Sequence, residues 1–238
     1  MTDVVSNQAK MIYLARRNPV LAPEDFAQAW REHSALGAGC SNVRDKVLSV
    51  SQCSRVLTLP GLVGAADDYD GVNLLLMRDL QSAADIWNDA QTLAIMRPDE
   101  PRVFSTYVRN FALVCSGRIL RQAPAGPRPT HCVQAFLRRR SGLTREQFQQ
   151  RWSADDKAQQ ASPALDAALC INHNLVLGTR PQGYDFDGIA EWWFASEAAA
   201  IEAFAAVDLR DRLPSALSDL ADLQRSLFMF TRITHSRP

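Results

Sequence analysis

Leu21-Ala22-Pro23-Glu24-Asp25-Phe26-Ala27-Gln28-Ala29-Trp30 reads a second time as Leu143-Thr144-Arg145-Glu146-Gln147-Phe148-Gln149-Gln150-Arg151-Trp152. Phe26 and Phe148 are 122 residues apart, as are Trp30 and Trp152. Further on, Tyr69-Asp70-Gly71-Val72 recurs as Phe186-Asp187-Gly188-Ile189, 117 residues later. So small a change of offset over so long a span means that the same elements return in the same order. The period is far longer than a solenoid unit, so the chain is a duplicated domain rather than an array. Each functional residue then has a counterpart, and a difference between counterparts marks where one copy has kept a chemistry that the other has lost.

The clearest break between the copies is the run from Arg121 to Thr130, in which Pro124, Gly126, Pro127 and Pro129 exclude a continuing helix or central strand. Repeat one is expected over 8–120, the linker over 121–130 and repeat two over 131–235. Each copy is long enough to bury a core of its own. Within each copy the pattern reads strand, helix, strand, strand, helix, strand. Strands are expected over 11–17, 47–59, 71–77 and 103–115, and again over 169–177, 188–194 and 223–234. Second helices are expected over 82–95 and 197–212. Pro23 suits the first turn of a helix, where its missing N–H costs nothing. Thr144, with Gln147 three residues on, is a capping box. Phe26, Trp30 and His33 fall on one helical face. Trp192 and Trp193 are adjacent on a strand, so one must face the helices and the other the opposite side.

This βαββαβ order predicts an α+β fold of two ferredoxin-like repeats. Each antiparallel sheet carries helices on one face, and the bare face of one copy covers that of the other. The expected result is an α/β barrel, of the kind usually built from a homodimer, made within one chain.

With 47% hydrophobic and 22% charged residues the chain has an ordinary globular composition. Lysine plus arginine equals aspartate plus glutamate, 26 against 26, which gives no footprint for nucleic acid or an anionic membrane. Arg138-Arg139-Arg140 is the one dense basic run and is read as a solvated strand end. The five cysteines are odd in number and in no CxxC spacing, which argues against a disulfide framework or a zinc site. Met1-Thr2-Asp3-Val4 does not begin a secretion signal, and no apolar run approaches membrane-spanning length, so a cytoplasmic protein is expected.

The pattern Leu21-x-x-Glu24-x-Phe26-x-x-x-Trp30-x-x-His33 resembles the first-helix signature of EthD-domain proteins, a branch of the dimeric α/β-barrel superfamily. Phe186-Asp187-Gly188-Ile189-Ala190-Glu191-Trp192-Trp193-Phe194 resembles that family's third strand, and Asn172-His173 a further pattern near the end of the second. The resemblance covers nearly the whole chain, twice. It implies work on a small molecule without metal or organic cofactor, in a pocket between the sheet and its helices. Relatives include cyclases and dehydratases, isomerases and quinone-forming monooxygenases, and some distant ones bind or degrade haem.

His33, on the apolar stripe of the first helix, is the sharpest candidate for moving protons near neutral pH. A helix-end histidine that bonds a carbonyl is the plainer alternative. Its counterpart is Asp155, a solvated helix-end carboxylate or a pocket residue. His173 and Glu191 are the repeat-two candidates and are placed opposite Cys53 and Leu74. Tyr13, Trp30, Trp87, Phe104 and Tyr107 are expected to line an apolar pocket, with polar contacts from Gln52 and Asn73. Cys53 is expected to be buried and inert.

The favoured expectation is a cofactor-independent lyase, dehydratase or isomerase acting on a small apolar cyclic or aromatic molecule. His33 would move the proton, and Tyr107 or Gln52 would hold the enolate oxygen. A cofactor-free monooxygenase, a haem-handling protein ligated by His33 or His173, and a non-catalytic binding protein are the alternatives. The expected partner is the small molecule alone, with no nucleic acid and no membrane, in a monomer or a homodimer of fused chains.

Overall fold

The computed structural model describes residues 7–59, 61–126, 128–154 and 156–237; Asp155 lies outside them. In chain order the strands are β1 (Gln8–Ala15), β2 (Val47–Arg55), β3 (Gly71–Met77), β4 (Ala112–Arg121), β5 (His131–Leu137), β6 (Cys170–Val176), β7 (Gly188–Phe194) and β8 (Leu227–Arg237). The α-helices are α1 (Phe26–Leu36), α2 (Ser41–Lys46), α3 (Leu80–Asp85), α4 (Glu100–Val103), α5 (Arg145–Trp152), α6 (Pro163–Asp166), α7 (Glu197–Phe204) and α8 (Ser215–Leu220).

The strands close an antiparallel barrel in the order β1-β3-β2-β8-β5-β7-β6-β4. Cut at its two seams, β2–β8 and β4–β6, the barrel gives β4-β1-β3-β2 and β8-β5-β7-β6, the same order twice. The correspondence between the two sets extends to single bonds. Arg17 donates its N–H and a guanidinium N–H to the buried Asp70, and its Nε to the Leu21 carbonyl. Arg139 does the same with Asp187 and Leu143. Phe26 stacks on Trp30 at 5.0 Å, and Phe148 on Trp152 at 5.5 Å. Beneath these pairs lie Gly71 and Gly188, where a Cβ would come within 2.6 Å of Trp30 and 3.0 Å of Phe148. Each Asp-Gly is thus a close-approach motif, with the carboxylate tying down the strand end and the glycine admitting the aromatic pair.

Strand alternation sorts the apolar residues into three clusters. Tyr13, Phe26, Trp30, Leu75, Phe104 and Phe111 belong to the layer between the first sheet and its helices. Phe148, Trp152, Trp192, Phe194, Phe204 and Phe228 belong to the corresponding layer of the second. Ile12, Leu74, Cys115, Phe136, Ile189, Trp193 and Met229 fill the barrel itself. Trp192 and Trp193 do face opposite ways, outward to the helices and inward to the barrel. Among the described residues no helix is long and apolar enough to cross a membrane.

Several boundaries differ from the sequence expectation, for local reasons. The expected strand over 103–115 is instead a helical and turn cover as far as Phe111, with β4 beginning at Ala112. Val103, Phe104, Val108 and Phe111 are all buried, so an apolar run that looked like a strand is a lid of short turns packed on the sheet. The expected helix over 82–95 breaks into α3, a 3-10 turn at Ile86–Asn88 and a π-helical turn at Thr92–Met96. The helix expected over 197–212 stops at Phe204, where Ala205 and Ala206 take positive φ of 49° and 55°. The strand expected over 47–59 ends at Arg55.

Candidate active site

A cavity of about 40 Å³ lies between the first sheet and its helical cover. It is lined from α1 by Trp30 and His33, from the sheet by Tyr13, Gln52, Asn73 and Leu75, and from the cover by Ile86, Trp87, Met96 and Phe104. Seven of the expected site residues therefore meet in one place. Tyr107 does not: its ring is 40% exposed and lies under the guanidinium of Arg97. The misplacement follows from reading 103–115 as a strand, whereas Tyr107 sits in the turn outside the cover.

His33 is 5% exposed and its ring meets the edge of Phe104 at 5.5 Å. Its Nδ1 lies 2.9 Å from Oδ2 of Asp99. Arg102 bonds both oxygens of that carboxylate, at 2.7 and 3.1 Å, and this pairing above all holds the Asp99 pKa below its usual value. An ionised Asp99 assigns the proton to Nδ1, which leaves Nε2 as the basic nitrogen. Burial lowers the His33 pKa below the ordinary histidine value, against the opposing pull of Asp99. The imidazole is therefore neutral at pH 7, oriented by a carboxylate and set in a largely apolar wall. That is the arrangement of a general base.

The cavity has other unspent polar groups. Gln52, 1% exposed, gives its Nε2 to the Trp30 carbonyl at 3.3 Å, and its Oε1 is buried with no partner. Asn73 pairs across β2–β3 with Gln52, and its buried Oδ1 is also without a partner. Burial, and secondarily Glu100, pushes the Tyr13 phenol well above its ordinary pKa, so it stays protonated and is a donor. Gln52 thus presents an acceptor, not the N–H donor expected for an enolate oxygen. Tyr13 and Asn73 are the groups placed to donate. Buried polar atoms without partners are uncommon in folded proteins, and two of those present, the Gln52 and Asn73 side-chain oxygens, belong to residues lining this cavity.

The repeat-two candidates do not join this site. Strand register sets His173 opposite Ala190 and Gln52 opposite Asn73, so the counterpart of His173 is Gln52 and not Cys53. His173 faces the outer layer, stacked on Trp152 at 4.2 Å, with both ring nitrogens buried and unpartnered. Burial drives its pKa down to about 3. Glu191 faces the barrel interior, where it accepts from Lys10 at 3.0 Å, Asn172 at 3.1 Å, Asn174 at 2.8 Å and the Trp193 indole at 2.9 Å. Burial alone would raise its pKa, but Lys10 and these donors outweigh it and the net shift is downward. Every partner it needs is already present, and it sits on the far side of the sheet from His173. His173 and Glu191 therefore lie apart from His33, on opposite faces of the second sheet.

No protein-family profile matches the chain, and no curated protein matches it. Solved structures do. An anthrone oxidase-like protein superposes with a TM-score of 0.62 at 10% identity, covering 99% of this chain and 94% of the other. A candidate monooxygenase from Fusobacterium nucleatum superposes with a TM-score of 0.56 at 6% identity, covering 99% and 95%. What they share with this chain is its architecture, a closed eight-stranded antiparallel barrel with helices packed outside. At such identities the likeness is one of architecture alone.

Haem is one of the expected alternatives, and its two expected ligands, His33 and His173, can be tested against that group. A haem needs a slot far larger than the cavity beside His33. His173 has its ring face covered by Trp152 and both nitrogens shut from solvent. His173 does not fit, and at His33 a haem, like any ring, needs the cover displaced. Among the described residues there is also no group of three histidine, cysteine or acidic side chains placed to hold a metal ion.

Asp99 and Arg102 escaped the sequence reading. The signal was the Pro-flanked acidic pair in Arg97-Pro98-Asp99-Glu100-Pro101, which marks a tight turn able to aim a carboxylate.

Proposed function

We propose that the chain is two fused ferredoxin-like repeats of the EthD type, and that the repeat-one cavity is the active site of an enzyme. Its substrate is a small, largely apolar cyclic or aromatic molecule, and the reaction is a lyase, dehydratase or isomerase step that uses no metal or organic cofactor. The observation that carries this reading is the buried, neutral His33 oriented by Asp99 in the cavity wall.

His33 Nε2 takes a proton from the carbon next to a carbonyl. The electron pair moves to the carbonyl oxygen, where the Tyr13 hydroxyl and the Asn73 amide donate to it. The imidazolium then returns the proton to a different carbon, or to a leaving hydroxyl that departs as water. In the closed state the cavity has room for only about three water molecules. Entry of a ring therefore displaces the cover. Its π and 3-10 turns and the flexible Met96 side chain make that part of the layer the easiest to move.

A second reading keeps the same base. The likeness to an anthrone oxidase-like protein and a candidate monooxygenase favours a route in which dioxygen accepts the electrons of the carbanion that His33 generates.

The test is proton exchange in D₂O, followed by NMR, over a panel of small cyclic ketones, lactones and phenols. Wild type should exchange a C–H next to the carbonyl of at least one compound. His33→Gln should lose about 10²-fold or more of that rate, and Asp99→Asn a smaller part. Unchanged exchange in His33→Gln sinks the reading. Oxygen uptake with the active compound separates the two routes.

A further inference from the structure

Arg237 also lines the repeat-one cavity, yet it belongs to the last strand of the other half. It pairs with Val50 across the β2–β8 seam, so both side chains stand on the outer face that the cavity occupies. Its Nε is buried without a partner, and the guanidinium makes no hydrogen bond or ion pair among the described residues. The duplication supplies an internal control. Arg121, at the end of β4, pairs with Ile171 across the β4–β6 seam, as Arg237 pairs with Val50. Arg121 reaches into the repeat-two layer and donates to the carbonyls of Leu165 at 2.7 Å and Ala168 at 2.9 Å. Each half thus sends an arginine across a seam into the other half's helical layer. In repeat two the guanidinium is spent on backbone. In repeat one it stands free at a cavity.

We infer that Arg237 is a substrate-binding and specificity-determining residue, and that the ligand of the repeat-one cavity carries an anionic oxygen for it. The ligand also offers a hydrogen-bond donor, such as a hydroxyl, to Gln52 Oε1 and Asn73 Oδ1, the two orphaned acceptors. The inference rests on the reading that this cavity is a ligand site. It adds what the ligand must look like: a small ring with an ionised oxygen at one edge and a hydroxyl at another. A guanidinium left unpaired beside an apolar wall gains most from such an oxygen, because the charge-assisted bond forms where water competes least.

The experiment is binding of benzoate, phenol and toluene to the full chain, read by calorimetry or by quenching of tryptophan fluorescence. Trp30 and Trp87 both line the cavity. Wild type should bind benzoate about tenfold tighter than toluene. Arg237→Met should abolish that preference while leaving toluene within about twofold, and Arg237→Lys should keep part of it. Raising the pH through the ionisation of phenol distinguishes a phenolate from a carboxylate as the anion: phenol should tighten in wild type and not in Arg237→Met. Circular dichroism checks that each variant is folded, and Arg237→Gln repeats the comparison with a polar side chain retained at the seam. The inference is overturned if the benzoate-to-toluene ratio survives in Arg237→Met and Arg237→Gln, or if none of the three probes binds wild type. Binding that depends on Arg237 without proton exchange by His33 would uphold the inference and overturn the catalytic reading alone.

Discussion

The two helical layers of this barrel are built on one frame and have opposite contents. In repeat one the position between Trp30 and the third strand holds Gln52, whose free oxygen faces a cavity. In repeat two the same position holds His173, pressed flat against Trp152. Around it Leu165, Phe204, Leu209 and Leu217 are fully buried in the space that the cover of repeat one leaves partly open. Inside the barrel the pattern reverses: repeat one contributes Leu74 where repeat two contributes the charged Glu191. The lesson is that polar groups without partners and polar groups with partners sit at duplicated positions for different reasons. The orphaned Gln52 and Asn73 oxygens belong to residues that line the cavity beside His33, whereas Glu191 has a partner for each oxygen and through Lys10 ties the two halves together.

The sharpest way to break this comparison is to empty the barrel's charge. Glu191→Ala strands the Lys10 ammonium, 3.0 Å from the carboxylate it replaces, and should destabilise the fold by about 3–5 kcal/mol in urea unfolding. The double variant Lys10→Met/Glu191→Leu, which makes repeat two resemble repeat one here, should recover most of that loss. If Glu191→Ala unfolds like wild type, the ion pair is not a tie between the halves.

A second experiment concerns His173, whose folded-state pKa of about 3 lies below its unfolded value. As pH falls below about 6.5 the unfolded chain takes up this proton first, so stability declines until the folded pKa is reached. Between pH 6.5 and 4.5 the loss from this one group should be about 2 kcal/mol. His173→Gln, which installs the repeat-one residue, should unfold with a shallower acid dependence by that amount. Parallel acid curves for variant and wild type would mean that His173 does not carry the effect. The smallest expected difference lies at the helix starts. α5 has the capping box of Thr144 and Gln147, and α1 has no side-chain cap at its start. Thr144→Ala should therefore cost only about 1 kcal/mol by the same unfolding assay.

Much of this frame was legible in the sequence because it is written twice. Gly71–Met77 and Gly188–Phe194 are strands with the expected bounds, since an Asp-Gly entry and burial on both faces leave little choice. The stripe of Phe26, Trp30 and His33 correctly pointed to the sheet. What was not legible lay where apolar residues follow no period. The cover over 86–111 buries residues from short turns, and its pattern imitates a strand. That misreading put Tyr107 in the pocket and hid Asp99. Arg237 carried no local signal either: its role depends on which strand lies across the seam, and that is a property of barrel closure.

The seams have one more consequence, for symmetry. A barrel assembled from two identical chains would show every substitution twice, once in each layer. A histidine that opens a cavity in one layer would open one in the other, and an arginine sent across one seam would be sent across both. Here one strand order serves two sequences in a single chain, so β4 can end in an arginine that knits backbone while β8 ends in one with no partner among the described residues. Stability and chemistry no longer have to be negotiated at the same residue. The layer around His173 and Trp152 can be packed tight, and the layer around His33 can keep a cavity.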